Sequence, residues 1–324
     1  MSTFLKGVFC LMVLLHHIVR TGNEVVDGIL ELLGPLAVGG FYFLSGYGIA
    51  VSYRAKGKQY LKNLVCRRIP MMYLILVATN FIYLGVYYLT GNPPLIFGGA
   101  LSSVLYISFV KGFVQLYSWI YFIPNLIVFY VVIAVVLWAV ECIKSVHNKG
   151  QVATIIFIIV EVAIILLLSV ASKQLPELRA YFCFPFGLIC GAFMENICKF
   201  IRNRRAFLIL LLVFLSWCFM TFLNVKEIRE YLMPLLFCML VVFVVAQKSF
   251  VGSFGALWFG KISLYVYLFH GAFFKIFNHF IALESLGLFL LVFSCSVVWS
   301  MFVYEVVQGM KIIMLRKRQK RRFF

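Results

Sequence analysis

The sequence predicts an all-α, polytopic membrane protein of about ten transmembrane helices with both termini in the cytoplasm. Three observations carry that reading. Of 324 residues, 64% are hydrophobic and only 12% are charged, too little polar surface to cover a water-soluble globule. The apolar runs are about 17 to 25 residues long, enough for a helix to cross roughly 30 Å of hydrocarbon, and none alternates like a barrel strand. The basic residues are also sided. With the N-terminus inside, 22 of the 29 Lys and Arg fall on the inner side and 7 on the outer, the asymmetry that orients membrane helices.

The spans fall near residues 4–21, 35–53, 69–90, 119–140, 152–171, 180–198, 206–224, 231–247, 262–282 and 286–310. The first, "MSTFLKGVFCLMVLLHH", has the look of a signal peptide but no small-residue cleavage site, so it reads as a retained helix. The second contains "GGFYFLSGYGI", residues 39–49, where Gly39, Gly40, Gly46 and Gly48 permit close helix approach. The basic connection "RAKGKQYLKNLVCRRIP", residues 54–70, leads into the third through Pro70. Residues 94–111 are apolar but broken by "GNPP" and "FGG", and read as re-entrant or interfacial. Short connections carrying Lys144 and Lys149, then Lys199 to Arg205, separate the middle spans. The organisation is therefore one transmembrane domain, 1–312, and a basic cytoplasmic tail, 313–324, that reads as an anchor on anionic lipid.

The net charge of +18 sits in clusters between apolar runs, a topology signal and not a nucleic-acid footprint. Nine cysteines, scattered and without a CxxC pair, read as small core residues and neither as disulfides nor as metal ligands. No metal site is expected.

Ionisable groups inside spans are costly enough to be default functional candidates. Lys6 and His17 are eleven residues apart, close to three turns, so they share a helix face roughly 16 Å apart along the axis. A cation at one end and an imidazole at the other fit a long anionic molecule, although a lysine at a helix start also snorkels. His16 points about 100° away from His17, so the two do not serve one site. Either histidine has a hydrogen-bonding reading beside a catalytic one. Arg20, one turn above His17, reads as an interfacial charge or as a group that keeps the imidazole neutral. The stretch 54–70 follows the positive-inside rule and also offers a phosphate-binding surface. In "GKISLYVYLFHGAFF", residues 260–274, His270 lies mid-span with Tyr267 one turn before it, a position that suits a histidine bonded to a neighbouring helix.

In order and spacing these pieces resemble the acyltransferase 3 family of integral membrane acyltransferases. Lys6 with His17 is similar to that family's basic residue, ten residues, histidine; "FYFLSGY", 41–47, to its "FFxLSGF"; "RRIP", 67–70, to its Arg-x-x-Pro element; and "LYVYLFH", 264–270, to its late "YSxYLxH" pattern. "LYSWIYFIPNLIVFY", 116–130, resembles its outer-side tryptophan segment. Leu64 and Asn63 stand where the family usually has further arginines, and the extra extracytoplasmic domain of some relatives has no counterpart here. The resemblance implies O-acylation, most often O-acetylation, of a cell-envelope carbohydrate or exported polysaccharide in a bacterial inner membrane. Acetyl-CoA from the cytoplasm is the implied donor, and no tightly bound cofactor is expected. His17 is the implied catalytic residue, as general base or transient acyl carrier; Lys6, Arg67 and Arg68 are the implied coenzyme A contacts. Arg20, Tyr267 and His270 line the expected site, with Ser45 an oxyanion donor. The competing expectation is a transporter or flippase of a glycan or small polar solute, which consumes no thioester.

Overall fold

Every regular element among the described residues is helical, as a backbone with no water to bond to requires. The structure, a computed structural model, describes residues 2–18, 21–91, 122–172, 180–195, 197, 208–209, 211–215, 232–247, 254–281 and 285–320. Its helices are α1 (Ser2–Ile18), α2 (Glu24–Lys56), α3 (Lys58–Asn63), α4 (Ile69–Leu89), α5 (Phe122–Cys142), α6 (Lys149–Ser172), α7 (Cys183–Ala192), α8 (Met233–Gln247), α9 (Phe254–Phe280) and α10 (Ser285–Lys320). Among the described residues, four helices are long and apolar enough to cross a membrane: Glu24–Lys56, Lys58–Leu89, Phe122–Cys142 and Leu286–Gly309. Ser2–His17, Cys183–Ala192 and Met233–Val244 are shorter apolar helices. Arg20, the stretch 94–111 and most of the expected span 206–224 lie outside the described residues.

Two boundaries differ from the sequence reading, each for a local reason. The second span was expected from residue 35, but α2 starts at Glu24. Asn23 caps it, its side-chain oxygen accepting from the amides of Val25 at 3.1 Å and Val26 at 3.2 Å, and Glu24 and Asp27 occupy the positive first turn. The last helix was expected to stop near 310. It runs to Lys320, because nothing after Gly309 breaks it and Lys, Arg, Met and Gln are good helix formers. The basic segment is thus helical over 313–320.

Contacts fix the relative directions. α1 lies antiparallel to α2, with Phe9 on Phe41 at 5.8 Å and His16 beside Leu30. It lies parallel to α9, since Cys10 meets Ser263 and His17 meets His270. α5 runs parallel to α2, from Phe122 on Tyr42 at 4.6 Å to Glu141 on Tyr53. α6 returns antiparallel to α5, with Phe157 on Phe129 and Lys149 on Glu141. α7 runs parallel to α2, with Gly39 near Cys183 and Gly191 near Ala50, and the two backbones approach closely: a Cβ on Gly46 meets the Phe184 carbonyl, and one on Gly187 meets the Phe43 carbonyl. Both positions accept only glycine, as the small-residue cluster at 39–48 predicts.

These directions give the bundle two ends, one carrying His17, Leu30, Phe122 and His270, the other Arg54, Glu141 and Lys149. Between them the core is aromatic, including Phe129 stacked on Phe184 at 4.7 Å, since interlocking rings supply the packing that apolar burial cannot in lipid. The polarity is inverted relative to a soluble protein. Leu74, Trp138 and Val298 are more than 60% exposed, while His270, Ser296 and Ser300 are fully buried.

Candidate active site

Three imidazoles gather at the first end. His17 lies on α1, and its ring stacks on His270 of α9, centroids 5.4 Å apart and planes 27° from parallel. His16 stands edge-on to His17 at 4.6 Å but turns toward α2, its Nδ1 3.1 Å from the Leu30 carbonyl. A carbonyl only accepts, so His16 Nδ1 carries the proton. The α2 backbone makes room for this ring. A Cβ on Gly34 would stand 2.5 Å from His16 Cδ2, and Pro35 withholds the N–H that the Glu31 carbonyl would otherwise receive.

His270 is fixed by its own helix. Its Nδ1 lies 2.6 Å from the Tyr267 carbonyl, so it donates there and Nε2 is the acceptor of the neutral ring. The Tyr267 ring packs against Phe41 at 5.9 Å, Phe122 at 5.8 Å and His270 at 5.8 Å, which holds α9 in register with α2 and α5. Ser45 is placed elsewhere. It lies eleven residues beyond Gly34 on α2, roughly 16 Å from the histidines along the axis, and its hydroxyl stands at the depth of Lys6 and not beside the imidazoles.

Nearer the other end, the two adjacent arginines separate. The chain from Leu64 to Arg68 forms a π turn in which the Ile69 amide bonds to the Leu64 carbonyl. Pro70 has no N–H for the carbonyl four residues back, and the wider turn absorbs that loss. Arg68 is thereby turned inward. Its guanidinium donates to the Tyr60 hydroxyl at 3.0 Å and the Tyr130 hydroxyl at 2.7 Å, and it lies 4.8 Å from the centre of the Tyr130 ring. Lys6 of α1 is within electrostatic reach of it and is itself exposed, as is Arg67. Lys6 and Arg68 are therefore near enough to feel each other's charge, while Arg67 is exposed.

Sequence reasoning passed over several buried polar groups. The Glu141 carboxylate accepts from the Tyr53 hydroxyl at 2.5 Å and from Lys149 Nζ at 3.0 Å, with Lys58 Nζ at 3.9 Å, so α2, α3, α5 and α6 meet at one acid. Glu161, in "FIIVEVAII" of α6, is 7% exposed, and one of its carboxylate oxygens has no hydrogen-bond partner among the described residues. A lone acid in so apolar a run is itself a signal in the sequence. Glu141 carried a weaker one, because at a span end it reads as surface charge.

No curated protein and no solved structure significantly matches the chain. One family model does, that of the acyltransferase 3 family, described as an acyltransferase domain; it covers residues 3–305 and so takes in both histidine-bearing helices and the Arg68 turn. The chain belongs to the acyltransferase 3 family, and it is a multi-pass membrane acyltransferase.

Proposed function

We propose that the protein transfers an acetyl group from cytoplasmic acetyl-CoA to a hydroxyl of a cell-envelope carbohydrate or exported polysaccharide, in a bacterial inner membrane that it crosses about ten times with both termini inside. What supports this reading is the spacing along α1: Lys6, close enough to Arg68 to feel its charge, lies roughly 16 Å from His17 on the same helix face. Paired cations suit the phosphates of coenzyme A. A thin arm running along α1 from that pair delivers its thioester to the imidazole.

His17 acts as general base. The acceptor hydroxyl gives its proton to the imidazole as its oxygen attacks the thioester carbonyl; the C–S bond breaks, and the departing thiolate takes the proton from the imidazolium. The products are the sugar ester and free coenzyme A. His270, stacked on His17 and locked by the Tyr267 carbonyl, keeps the catalytic ring oriented. A base that is tethered at one angle and need not be reorganised is the arrangement that makes proton transfer efficient.

Release of free thiol from acetyl-CoA by the protein in proteoliposomes, with envelope glycans on the far side, tests the reading. Thiol release by the wild type and its loss in His17→Ala support it. Movement of solute without thioester consumption makes the protein a transporter, and a stable acetyl-enzyme formed without acceptor replaces the general base with an acyl carrier.

A further inference from the structure

Glu141 and Glu161 sit on neighbouring helices, α5 and α6, and are held differently. Glu141 accepts from the Tyr53 hydroxyl and from Lys149. Glu161 is 7% exposed, and one of its carboxylate oxygens is buried without a hydrogen-bond partner among the described residues. Its orientation follows from α6 itself. Ala153, Thr154, Phe157 and Glu161 are buried, while Ile155, Ile156, Ile159 and Val162 are exposed, so the acid continues the face that packs into the bundle. A carboxyl placed there costs stability unless something bonds it.

The acid lies on the histidine side of the aromatic core. Phe157, one turn before it, packs on Phe129 and on Phe184. Counting from the contact between Phe129 and Phe157, Glu161 is about 6 Å and Phe122 about 10 Å toward the histidines. Tyr181 comes three residues before Phe184, and because α6 and α7 run in opposite directions it falls on that same side. From Tyr181 a row of rings crosses the bundle. Tyr181 meets Tyr42 at 5.7 Å, Tyr42 meets Phe122 at 4.6 Å, and Phe122 meets Tyr267, which packs on His270.

These surroundings select a ligand class. A metal ion asks for several ligand atoms, and among the described residues no group of three or more His, Cys, Asp and Glu could hold one. An anion is repelled by a carboxylate. A neutral polyol suits the place, because its hydroxyls donate to a carboxylate while the apolar faces of its ring lie on aromatic side chains. We propose that Glu161 binds a hydroxyl of the acceptor carbohydrate and so selects which sugar chain is presented to His17. The row of rings lies between the acid and the imidazoles, so the bonded hydroxyl is remote from the one that reacts. Glu161 is thus a specificity residue that reads an extended acceptor; this step rests on the carbohydrate-acceptor reading above.

The test uses the full chain in lipid nanodiscs, with acetyl-CoA as donor and fluorescently labelled oligosaccharides from bacterial envelope glycans as acceptor and binding probe. Glu161→Leu removes the carboxyl at similar volume, and Glu161→Gln keeps one oxygen acceptor. A structural acid and a substrate-binding acid predict opposite signs for the leucine variant. If Glu161 serves the acceptor, losing an unbonded buried carboxyl raises the thermal midpoint, while the apparent KM for the oligosaccharides rises at least tenfold. KM for acetyl-CoA stays within twofold, and Glu161→Gln recovers part of the lost acceptor affinity. A lower midpoint with a proportional loss of transfer makes Glu161 a packing residue and overturns the proposal, as does an unchanged KM for the oligosaccharides. Binding of the labelled oligosaccharides by the wild type and not by Glu161→Leu, with no thiol released from acetyl-CoA by either, removes the acetyl-CoA reading and leaves the Glu161 assignment standing. If the wild type binds none of them, the assignment falls.

Discussion

The two ends of the bundle hold their polar groups in different ways. At the Glu141 end, charges are tied to charges and hydroxyls across four elements: Tyr53, Lys149 and Lys58 surround a single carboxylate. At the histidine end, His16 and His270 are each tied to a backbone carbonyl, and His17 contributes ring stacking between them. The first arrangement fixes side chains at the cost of their charge being spent on one another. The second fixes ring orientation through backbone carbonyls and ring contacts, the pre-positioning that a proton-transferring group requires. On the proposed reading, donor binding at Lys6 and Arg68 and chemistry at His17 fall at different depths of the same bundle.

That division is broken most directly at His17. His17→Ala is expected to lower the rate of acetyl transfer by about 10²–10⁴-fold, the usual contribution of a positioned base, with little change in the melting temperature of the purified protein. A loss of folded protein in proportion to activity would instead make His17 a packing residue. The next effect concerns the scaffold that joins the ends. Gly46→Leu forces a side chain into the Phe184 carbonyl and is expected to cost about 1–3 kcal/mol of stability, as overpacking does, read as a lower thermal midpoint in detergent. Unchanged stability would show that α2 and α7 leave room for a side chain at this position.

Much of this was legible in the sequence, and what was not had specific causes. The limits of α4, Ile69–Leu89, followed from one apolar run between a basic segment and a break. The start of α2 did not, because a single asparagine cap inside a polar stretch decides it. Spacing placed Lys6 and His17 on one face of α1, since both lie on one helix. It could not place Ser45 against His17, which depends on the register between two helices. Nor could it separate Arg67 from Arg68, because the π turn that aims one inward arises from Pro70 acting on the carbonyls behind it. The Glu141 cluster joins residues up to 88 positions apart, a separation at which no sequence pattern operates.

Arg68 sharpens the comparison from the binding end. Its planar fork reaches two tyrosine hydroxyls at once, a geometry that a lysine cannot reproduce. Arg68→Lys is therefore expected to raise KM for acetyl-CoA about tenfold, equivalent to roughly 1.4 kcal/mol, with kcat within a factor of three. Arg67→Ala, at the exposed neighbour, is expected to leave both constants within about twofold, as exposed charges usually do. Equal effects of the two substitutions would mean that the π turn does not select between them.

The smallest effect tests the comparison inside the histidine cluster itself. His16 and His17 are adjacent in sequence and their rings are 4.6 Å apart, yet His16 donates to the Leu30 carbonyl and fills the notch at Gly34. Its work is to hold α1 on α2. His16→Ala removes one partly buried hydrogen bond, a change of about 0.5–1.5 kcal/mol, and should lower the melting temperature by a few degrees while kcat stays within about threefold. His16→Gln, which restores a donor of similar reach, should recover part of that stability. If His16→Ala instead abolished transfer as His17→Ala does, with the fold intact, the two rings would act as one proton-handling unit, and the distinction between an orienting histidine and a reacting one would have to be abandoned.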